Sequence, residues 1–401
     1  MKTTVAIVGG GASALMLAST LDSEKFEISL YEKNIAPGRK FLVAGDGGLN
    51  LTHSENQTGF IKRYTPAGFL ERAFSHFSNA DFIHWLHALG VETFIGSSGR
   101  VFPKKGIKPI EVLNRMLDQI KRNGVSLHTK YVLKDFSLEN GLVFEHKGWK
   151  KEVNPKLVIF CMGGASWPVT GSTGDWSDLF KDKAIRINPF RASNCSFNIS
   201  WTPDLVPKIE GKALKNISIR CGTAFHLGEA VITRSGLEGS GIYPLSPEIR
   251  KLLDAQERAE IHIDFKPALS LEKIKERLVA KPAELNTTDF LKTELHLTAV
   301  QVQLLKHFLS KEEYLDPDRL SQKIKEFSLY ITGTGPIEDA ISTVGGIDLD
   351  ELDSTFQLKK LPHHYAIGEM LDYDAPTGGY LLQSCYSMAN YLARHLNLTH
   401  F

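Results

Sequence analysis

The fold is decided near the N-terminus, by the stretch "TTVAIVGGGASALMLASTL" from Thr3 to Leu21. A short β-branched apolar run passes through three glycines into a segment whose apolar residues recur at helical spacing, which predicts a strand, a tight turn and a helix. The glycine pattern is G-x-G-x-x-A: Gly9 permits the turn, Gly11 lets a pyrophosphate reach the backbone, and Ala14 stands at the helix–strand contact. The stretch therefore predicts the start of a Rossmann-like α/β fold.

Two further features indicate that this turn binds a dinucleotide. The free N–H groups and positive dipole end of the helix, at Gly11 to Ala14 with Ala12 and Ser13 between them, favour an anion. A second strand, "FEISLYEKN", ends in Glu32 and Lys33 about twenty residues beyond the glycines, where an acid can bond both ribose hydroxyls. The plainer interpretation is a solvated acid at a strand end. An acid here disfavours a 2′-phosphate, so FAD or NAD is expected rather than NADP.

Composition favours small-molecule chemistry in an ordinary globular protein. The 401 residues allow two or three domains, and 42% hydrophobic with 23% charged residues is ordinary globular usage. A net charge of +1 makes a nucleic-acid partner held by bulk electrostatics an unfavoured interpretation, although a local basic patch remains possible.

Cysteine usage and the absence of long apolar runs predict a cytoplasmic chain. The four cysteines form no C-x-x-C pair and no cluster at zinc spacing, so a redox dithiol and a metal site are not expected; they are Cys161, Cys195, Cys221 and Cys385. The N-terminus has no secretory-signal pattern, and no apolar run reaches the roughly 18 residues of a membrane span.

A glycine-rich stretch follows the second strand directly: "GRKFLVAGDGGLNLTHSE", Gly38 to Glu55. Glycine is placed where φ must be positive or where something approaches the backbone closely. Five further segments share its glycine-rich or polar character: "GRVFP", "CMGGASWPVTGSTGDW", "TRSGLEGSGIYPL", "TVGGI" and the C-terminal "GEMLDYDAPTGGYLLQ". With the stretch above, they resemble segments of the BaiN-like (YhiN-like) flavoproteins, which have the two-dinucleotide-binding fold. The resemblance covers nearly the whole chain and implies an NAD(P)/FAD-dependent oxidoreductase.

The same resemblance assigns residues to FAD and marks departures from the family. In the glycine-rich segments it implies contacts from Arg39, Lys40, Gly45, Asn50, Thr52, Gly163 and Gly164. Gly48 and Leu49 stand where the family has Arg and Cys, and Arg234 and Ile242 replace a His and a Pro. These departures predict a substrate that differs from those of the relatives.

The C-terminal block supports the same cofactor from its residues alone. "YAIGEML" is an apolar strand ending in Gly368 and Glu369, and a carboxylate at this edge could bond a hydroxylated chain such as ribityl. A long amphipathic helix follows; its start would offer N–H groups to the N1/C2=O edge of reduced flavin, from Gly378, Gly379, Tyr380 and Leu381. The plainer interpretation is a tight turn before a terminal helix.

The dinucleotide fold is predicted to be split in sequence. The Rossmann-like FAD-binding domain is expected at 1–186 and 352–401, and a β-rich, barrel-like substrate subdomain at 187–265 and 328–351. A helical insert, 266–327, is predicted to interrupt that subdomain. A second nucleotide-binding fingerprint, for NAD(P)H, is not evident, because "GTGPIE" fits only part of the pattern. If NAD(P)H is the reductant, we therefore expect it to bind transiently.

The catalytic residues are less well defined, because flavin supplies the hydride chemistry itself. Candidates for proton donor or substrate clamp are His53, Arg100, Arg234 and Tyr243, and the plainer interpretation of each is a loop residue bonded to backbone or solvent. We expect hydride transfer via flavin N5 between NAD(P)H and an unsaturated or carbonyl-bearing small molecule. The alternatives are a non-catalytic redox sensor or partner-binding flavoprotein, and a flavin-dependent RNA modifier. The sequence leaves the oligomeric state open.

Overall fold

The strands that the structure describes fall into one parallel sheet, one closed barrel, two three-stranded antiparallel sheets and one pair of strands. The computed structural model describes residues 1–44, 48–137 and 141–401. Within them the strands are β1 (Thr3–Val8), β2 (Phe26–Glu32), β3 (Thr52–His53), β4 (Thr93–Ile95), β5 (Arg100–Pro103), β6 (Ser126–Thr129), β7 (Tyr131–Ser137), β8 (Gly141–His146), β9 (Trp149–Val153), β10 (Leu157–Phe160), β11 (Ile187–Ser193), β12 (Phe197–Ile199), β13 (Ala213–Cys221), β14 (Ala224–Ile232), β15 (Gly236–Glu238), β16 (Ala259–Asp264), β17 (Phe327–Thr334), β18 (Ser342–Ile347) and β19 (His364–Ala366).

The helices follow the apolar periodicity of the sequence. They are α1 (Ala12–Thr20), α2 (Arg39–Val43), α3 (Gln57–Ile61), α4 (Glu71–His76), α5 (Asn79–Ala88), α6 (Pro109–Arg122), α7 (Ser177–Lys181), α8 (Val206–Ile209), α9 (Ser246–Gln256), α10 (Leu271–Val279), α11 (Thr287–Thr293), α12 (Ala299–Phe308), α13 (Lys311–Leu315), α14 (Pro317–Lys325) and α15 (Tyr380–Leu398). Side-chain caps start several of them: Ser270 accepts the N–H of Lys273 at α10, and Thr298 forms a capping box at α12.

The parallel sheet has the strand order β19-β10-β1-β2-β6. Val5 to Val8 of β1 pair with Leu157 to Phe160 of β10, and Thr3 to Val8 pair with β2. All four residues of β10 are buried, as expected for a strand covered on both faces. The helices α1 and α15, which follow β1 and β19 in the chain, pack against each other. The carboxyl ends of β1, β2 and β19 therefore meet at one edge of the sheet.

The chain divides into two compact units. The first unit contains residues 1–192 and 337–401 and holds the parallel sheet, the sheet β3-β5-β4, the sheet β7-β8-β9 and the pair of β11 with β18. The second unit, 193–336, holds a closed barrel with the order β12-β15-β14-β13-β16-β17. The helices α10 to α14 lie between β16 and β17 in sequence.

The predicted fold class is confirmed: the chain has a Rossmann-type parallel sheet, completed from both ends of the sequence, with a β-rich region inserted. The sequence predicts domain bounds at 186/187 and 351/352, whereas the division into compact units falls at 192/193 and 336/337. The domain bounds therefore stay a prediction. In the described ranges, no helix has both the length and the apolar character needed to cross a bilayer.

Candidate cofactor site

The turn between β1 and α1 combines a tightly packed glycine with an open one. Gly9 has a φ of +105°, and a Cβ added there would collide with the carbonyl oxygen of Cys161. Gly11 has a φ of −83°, and a Cβ added there would meet nothing within 4 Å. No side chain caps α1, so its first N–H groups have no protein acceptor from a cap. The turn thus leaves an accessible backbone concavity of the kind an anion fills.

Glu32 lies beside this turn and is 7% exposed. Its Oε2 accepts the N–H of Gly10 at 2.7 Å, and its Oε1 accepts the backbone N–H of Asn34 at 2.7 Å and that residue's side chain at 2.8 Å. These bonds hold the carboxylate at the end of β2, where the sequence places it. Because a carboxylate oxygen can accept two bonds, Oε2 keeps capacity for a hydroxyl donor.

Arg39 and Lys33, which the sequence assigns to the cofactor, bind the loop at 167–173. Arg39 donates to the carbonyl oxygen of Val169 at 2.8 Å and to the side chain of Asn34 at 3.1 Å. Lys33 donates to the hydroxyl of Thr173 at 3.0 Å. These contacts hold the loop in place, and the assignment of both cations to FAD stays a prediction.

Lys40 and Glu369 come together from opposite ends of the chain. The ammonium lies 2.8 Å from Oε2 and 2.9 Å from Oε1 of Glu369, and it also donates to the hydroxyl of Ser166 at 2.9 Å. The Glu369 side chain is only 9% exposed, so the pair is well shielded from water. The N–H of Thr343 adds a bond of 3.3 Å to the carboxylate. A charged, partly buried cluster therefore stands at the end of β19.

Glycines make this cluster possible. A Cβ on Gly164 would collide with Thr343 and lie 3.0 Å from the carboxyl carbon of Glu369, while one on Gly368 would collide with Ser13 of α1. Gly163 has a φ of +74° and also forms part of this turn. The segment after β19 can approach α1, and the segment after β10 can approach Glu369, only because Gly368 and Gly164 carry no side chain.

The start of α15 is packed directly against β3. Gly379 has a φ of +97°, and a Cβ added there would lie 2.6 to 2.7 Å from the backbone of Thr52. A Cβ added to Gly378 would lie 3.2 Å from Nε of Arg100. As at α1, no side chain caps this helix. The N–H groups of Tyr380 and Leu381 therefore begin a second helix N-terminus in the same unit.

A hydrogen-bonded network fixes the first turns of α15. The Thr52 hydroxyl donates to Oε1 of Gln383 at 2.7 Å, and the Tyr380 hydroxyl donates to Oε2 of Glu55 at 2.7 Å. Glu55 also pairs with Arg63 at 2.7 Å. Burial raises the pKa of Glu55, but the bonds from Arg63 and Tyr380 outweigh burial and hold that pKa below its ordinary value. Burial and the adjacent carboxylate raise the pKa of Tyr380, so its hydroxyl keeps its proton.

Asn50 carries an unpaired buried oxygen. Among the described residues, its Oδ1 is one of three buried side-chain atoms without a hydrogen-bond partner. An unpaired buried acceptor is unfavourable unless a ligand or water donates to it. Asn50 belongs to the glycine-rich loop that the sequence assigns to FAD; Gly45 of the same loop lies outside the described residues.

Three of the four candidate catalytic residues, His53, Arg234 and Tyr243, have different surroundings. The Nδ1 atom of His53 accepts the N–H of Glu55 at 3.0 Å, so Nε2 carries the proton that it donates to the carbonyl oxygen of Ser98 at 2.9 Å. Both ring nitrogens of His53 are thus engaged by backbone. Arg234 and Tyr243 lie in the barrel unit; Arg234 is exposed, and burial raises the pKa of Tyr243 to about 12.

Sequence reasoning missed Ser166, Thr343, Gln383 and the Glu55–Arg63 pair. The first two stand inside glycine-rich segments, which were the available signal, while Gln383 is hidden within the helical pattern of α15. Burial raises the pKa of the Cys161 thiol, and that of Cys385 to about 11, so neither thiol is ionised at neutral pH.

Three comparisons place the chain among known proteins. The family model described as "HI0933-like protein Rossmann domain" matches residues 3–395. Two relatives named ribosomal RNA dihydrouridine synthase are 24% identical to the chain. The one from Escherichia coli aligns over 398 residues, covering 96% of this chain and 95% of the relative. The one from Haemophilus influenzae aligns over 397 residues, covering 96% of each.

Solved structures share the fold at low identity. The 3-ketosteroid-Δ4-(5α)-dehydrogenase from Rhodococcus jostii superposes with a TM-score of 0.51 at 12% identity, covering 99% of this chain and 96% of that one. The 3-ketosteroid Δ1-dehydrogenase from Sterolibacterium denitrificans gives 0.50 at 12% identity, covering 99% and 100%. At this identity the likeness concerns the fold alone.

Proposed function

The chain belongs to the HI0933-like family, and from this premise we propose that it is an FAD-dependent oxidoreductase that uses NAD(P)H to reduce a carbon–carbon double bond conjugated to a carbonyl. The first such substrate we propose is the C5=C6 bond of uridine in RNA. In the balanced reaction, uridine, NAD(P)H and one proton give dihydrouridine and NAD(P)⁺. Both the hydride and the proton are then accounted for.

One observation carries the cofactor assignment: the uncapped start of α1 is open above Gly11, with the buried Glu32 carboxylate beside it. The N–H groups there would bind the diphosphate of FAD, and Glu32 would accept a ribose hydroxyl. The carboxylate of Glu369 would take a hydroxyl of the ribityl chain. The unpaired Oδ1 of Asn50 would accept a donor from the cofactor, which fits a site shaped for a ligand.

The substrate assignment rests on the two relatives and on chemistry. Their name describes dihydrouridine formation in ribosomal RNA, and they align with this chain almost from end to end. Uracil is also a conjugated carbonyl compound, so it falls within the unsaturated substrates that the sequence favours. The FAD would supply hydride chemistry, while the chain orients the base and excludes water.

The Gly11→Ala variant tests the cofactor site without disturbing the fold. Since Gly11 has a negative φ and its added methyl group meets no atom, we expect the apoprotein to be as stable as wild type, or up to about 1 kcal/mol more stable. The methyl group would occupy the place of the diphosphate, so the FAD content should fall at least about tenfold. FAD content is measured by absorbance after release, and apoprotein stability by urea unfolding.

Two outcomes would contradict this assignment. Full FAD content in Gly11→Ala would show that the diphosphate lies elsewhere. Loss of FAD together with loss of apoprotein stability would mean that the variant acts through the fold. Gly333→Ala serves as a control, because Gly333 in the barrel strand β17 has no positive φ and an added Cβ would meet only the side-chain nitrogen of Asn198, at 3.6 Å.

A further inference from the structure

The small antiparallel sheet β3-β5-β4 exposes a pair of aromatic rings. Phe94 of β4 lies directly opposite Phe102 of β5, and the rings stack with centroids 5.5 Å apart and planes 22° from parallel. Phe94 is 47% exposed, and Phe102 is partly exposed. A stacked, solvent-facing pair of this kind offers a flat apolar surface to another flat ring.

The same face of this sheet carries an unpaired cation. Arg100 is two residues before Phe102 on β5, so both side chains point to one side of the sheet. Within the part of the chain that the structure describes, the Arg100 guanidinium makes no hydrogen bond or ion pair with a protein group. The charge is therefore free to bind an anion from outside the chain.

This face borders the proposed flavin site. A Cβ added to Gly48 in the glycine-rich loop would lie 3.3 Å from the Phe102 ring, and one added to Gly378 would lie 3.2 Å from Nε of Arg100. The family resemblance assigns the loop to FAD, and the start of α15 is the element that we assign to the flavin ring. A substrate reaching that ring would pass over Phe102 and Arg100.

The segment that carries the two rings is rich in positive charge. The segment 93–108, "TFIGSSGRVFPKKGIK", contains Arg100, Lys104, Lys105 and Lys108 and no Asp or Glu, although the whole chain carries only +1. Lys104 pairs with Glu92 at 2.6 Å, and both side chains are more than 60% exposed. Lys105 and Lys108 are also exposed. Aromatic rings interleaved with unneutralised cations match the requirements of a single-stranded nucleic acid.

We propose that this face, defined by Phe94, Phe102, Arg100, Lys105 and Lys108, binds the single-stranded RNA that flanks the target uridine. Bases of the RNA stack on the two rings, and its phosphates contact the three cations. The proposal rests on the proposed function and names the surface that brings its substrate to the flavin. It also reconciles an RNA substrate with the near-zero net charge, because the charge needed is local.

The test is RNA binding by matched variants of the FAD-loaded protein. The probe is a fluorescent, uridine-containing single-stranded RNA, followed by anisotropy over a series of salt concentrations. Phe94→Ala should weaken binding at least about fivefold, the effect of losing one base stack. Phe225→Ala, which removes a 69% exposed ring from the barrel strand β14, should change it less than about twofold.

The cations are tested in the same way. Lys105→Gln with Lys108→Gln should weaken binding and flatten the plot of log K against log salt by about 1.4, since each lost contact to single-stranded phosphate removes about 0.7. Lys150→Gln with Lys151→Gln removes the same charge from the exposed strand β9 and should leave that slope unchanged. The FAD content of every variant should equal that of wild type.

Failure of this surface and failure of the proposed function give different results. If wild type binds RNA and forms dihydrouridine while both patch variants bind as their controls do, the surface is wrong and the function stands. If wild type binds no RNA and forms no dihydrouridine, although its FAD is reduced by NAD(P)H, both are wrong. Binding of an acidic peptide in place of RNA at the same face would also overturn the proposal.

Discussion

At the residue scale, His364 introduces a pH dependence into the stability of the parallel sheet. It is 6% exposed in β19, and it donates from Nδ1 to the carbonyl oxygen of Pro362 at 2.9 Å. Its Nε2 is among the described buried atoms that have no partner. Burial lowers the pKa of His364 below its ordinary value, against a smaller opposing effect of the Pro362 bond.

The sign of this pH dependence follows from proton linkage. Below about pH 6.5 the unfolded chain protonates this imidazole while the folded chain keeps it neutral, so stability falls as the pH drops. We expect a loss of up to about 1.4 kcal/mol per pH unit from this one group, between the unfolded and folded pKa values. His364→Phe, placed between the rings of Phe136 and Phe160, should remove that slope.

Urea unfolding at pH 7.5, 6.5 and 5.5 measures the slope directly. The loss of the bond to Pro362 lowers the free energy of unfolding of His364→Phe by about 1 kcal/mol at every pH, so the comparison is between slopes. His84→Phe, which removes an exposed imidazole from α5, is the control and should keep the wild-type slope. Equal slopes for wild type and His364→Phe would refute the assignment.

The sequence predicts residue identities at the site better than residue partners. Glu32 could be placed because its position depends only on its spacing from the glycine turn, and it stands beside that turn. The partner of Lys40 could not be predicted, because Glu369 is more than 300 residues away and reaches it only through the pairing of β19 with β10. The contact of Arg39 with Val169 could not be predicted either, because it depends on the position of the loop at 167–173.

At the element scale, the start of α15 depends on Gly379. Its φ of +97° is in the left-handed region, which costs a residue with a Cβ about 1–2 kcal/mol. An added Cβ would also press on the Thr52 backbone of β3 at 2.6 Å. Gly379→Ala should therefore lower the free energy of unfolding by about 2–5 kcal/mol in total, since overpacking adds about 1–3 kcal/mol.

Comparison with Gly148→Ala separates the free-energy cost of backbone strain from the cost of the steric collision. Gly148, in the turn between β8 and β9, has a φ of +82°, but an added Cβ meets nothing within 4 Å. It should therefore show only the strain cost. Urea unfolding of both apoproteins gives the difference, which we expect to be about 1–3 kcal/mol. If Gly379→Ala is no more destabilising than Gly148→Ala, then α15 does not rely on close contact with β3.

Elements were predictable where their signal is local. The β1–turn–α1 unit and the helices α10, α12 and α14 follow from periodicity and caps within short windows. The closure of the barrel was not predictable strand by strand, because β12 pairs with β17, about 130 residues away in the chain. Pairings of this range depend on tertiary packing, which the strand pattern does not encode.

At the scale of the whole molecule, net charge is a poor guide to partners. A chain with 47 Lys and Arg against 46 Asp and Glu can still hold a cationic, acid-free segment such as 93–108. Screening limits the reach of exposed charges to about 10 Å, so a nucleic acid responds to the local segment and not to the total. The expectation against a nucleic-acid partner came from the total, and the names of the relatives reopen that question.

The most direct test of the central claim is dihydrouridine formation by the purified, FAD-loaded protein. Ribosomal RNA from cells that lack this chain is incubated anaerobically with the protein and with NADH or NADPH, and its nucleosides are then analysed by mass spectrometry. We predict a new nucleoside heavier than uridine by two hydrogen atoms, formed by wild type and not by Gly11→Ala. Flavin that is reduced by the nicotinamide, with RNA present and no dihydrouridine formed, would contradict the account.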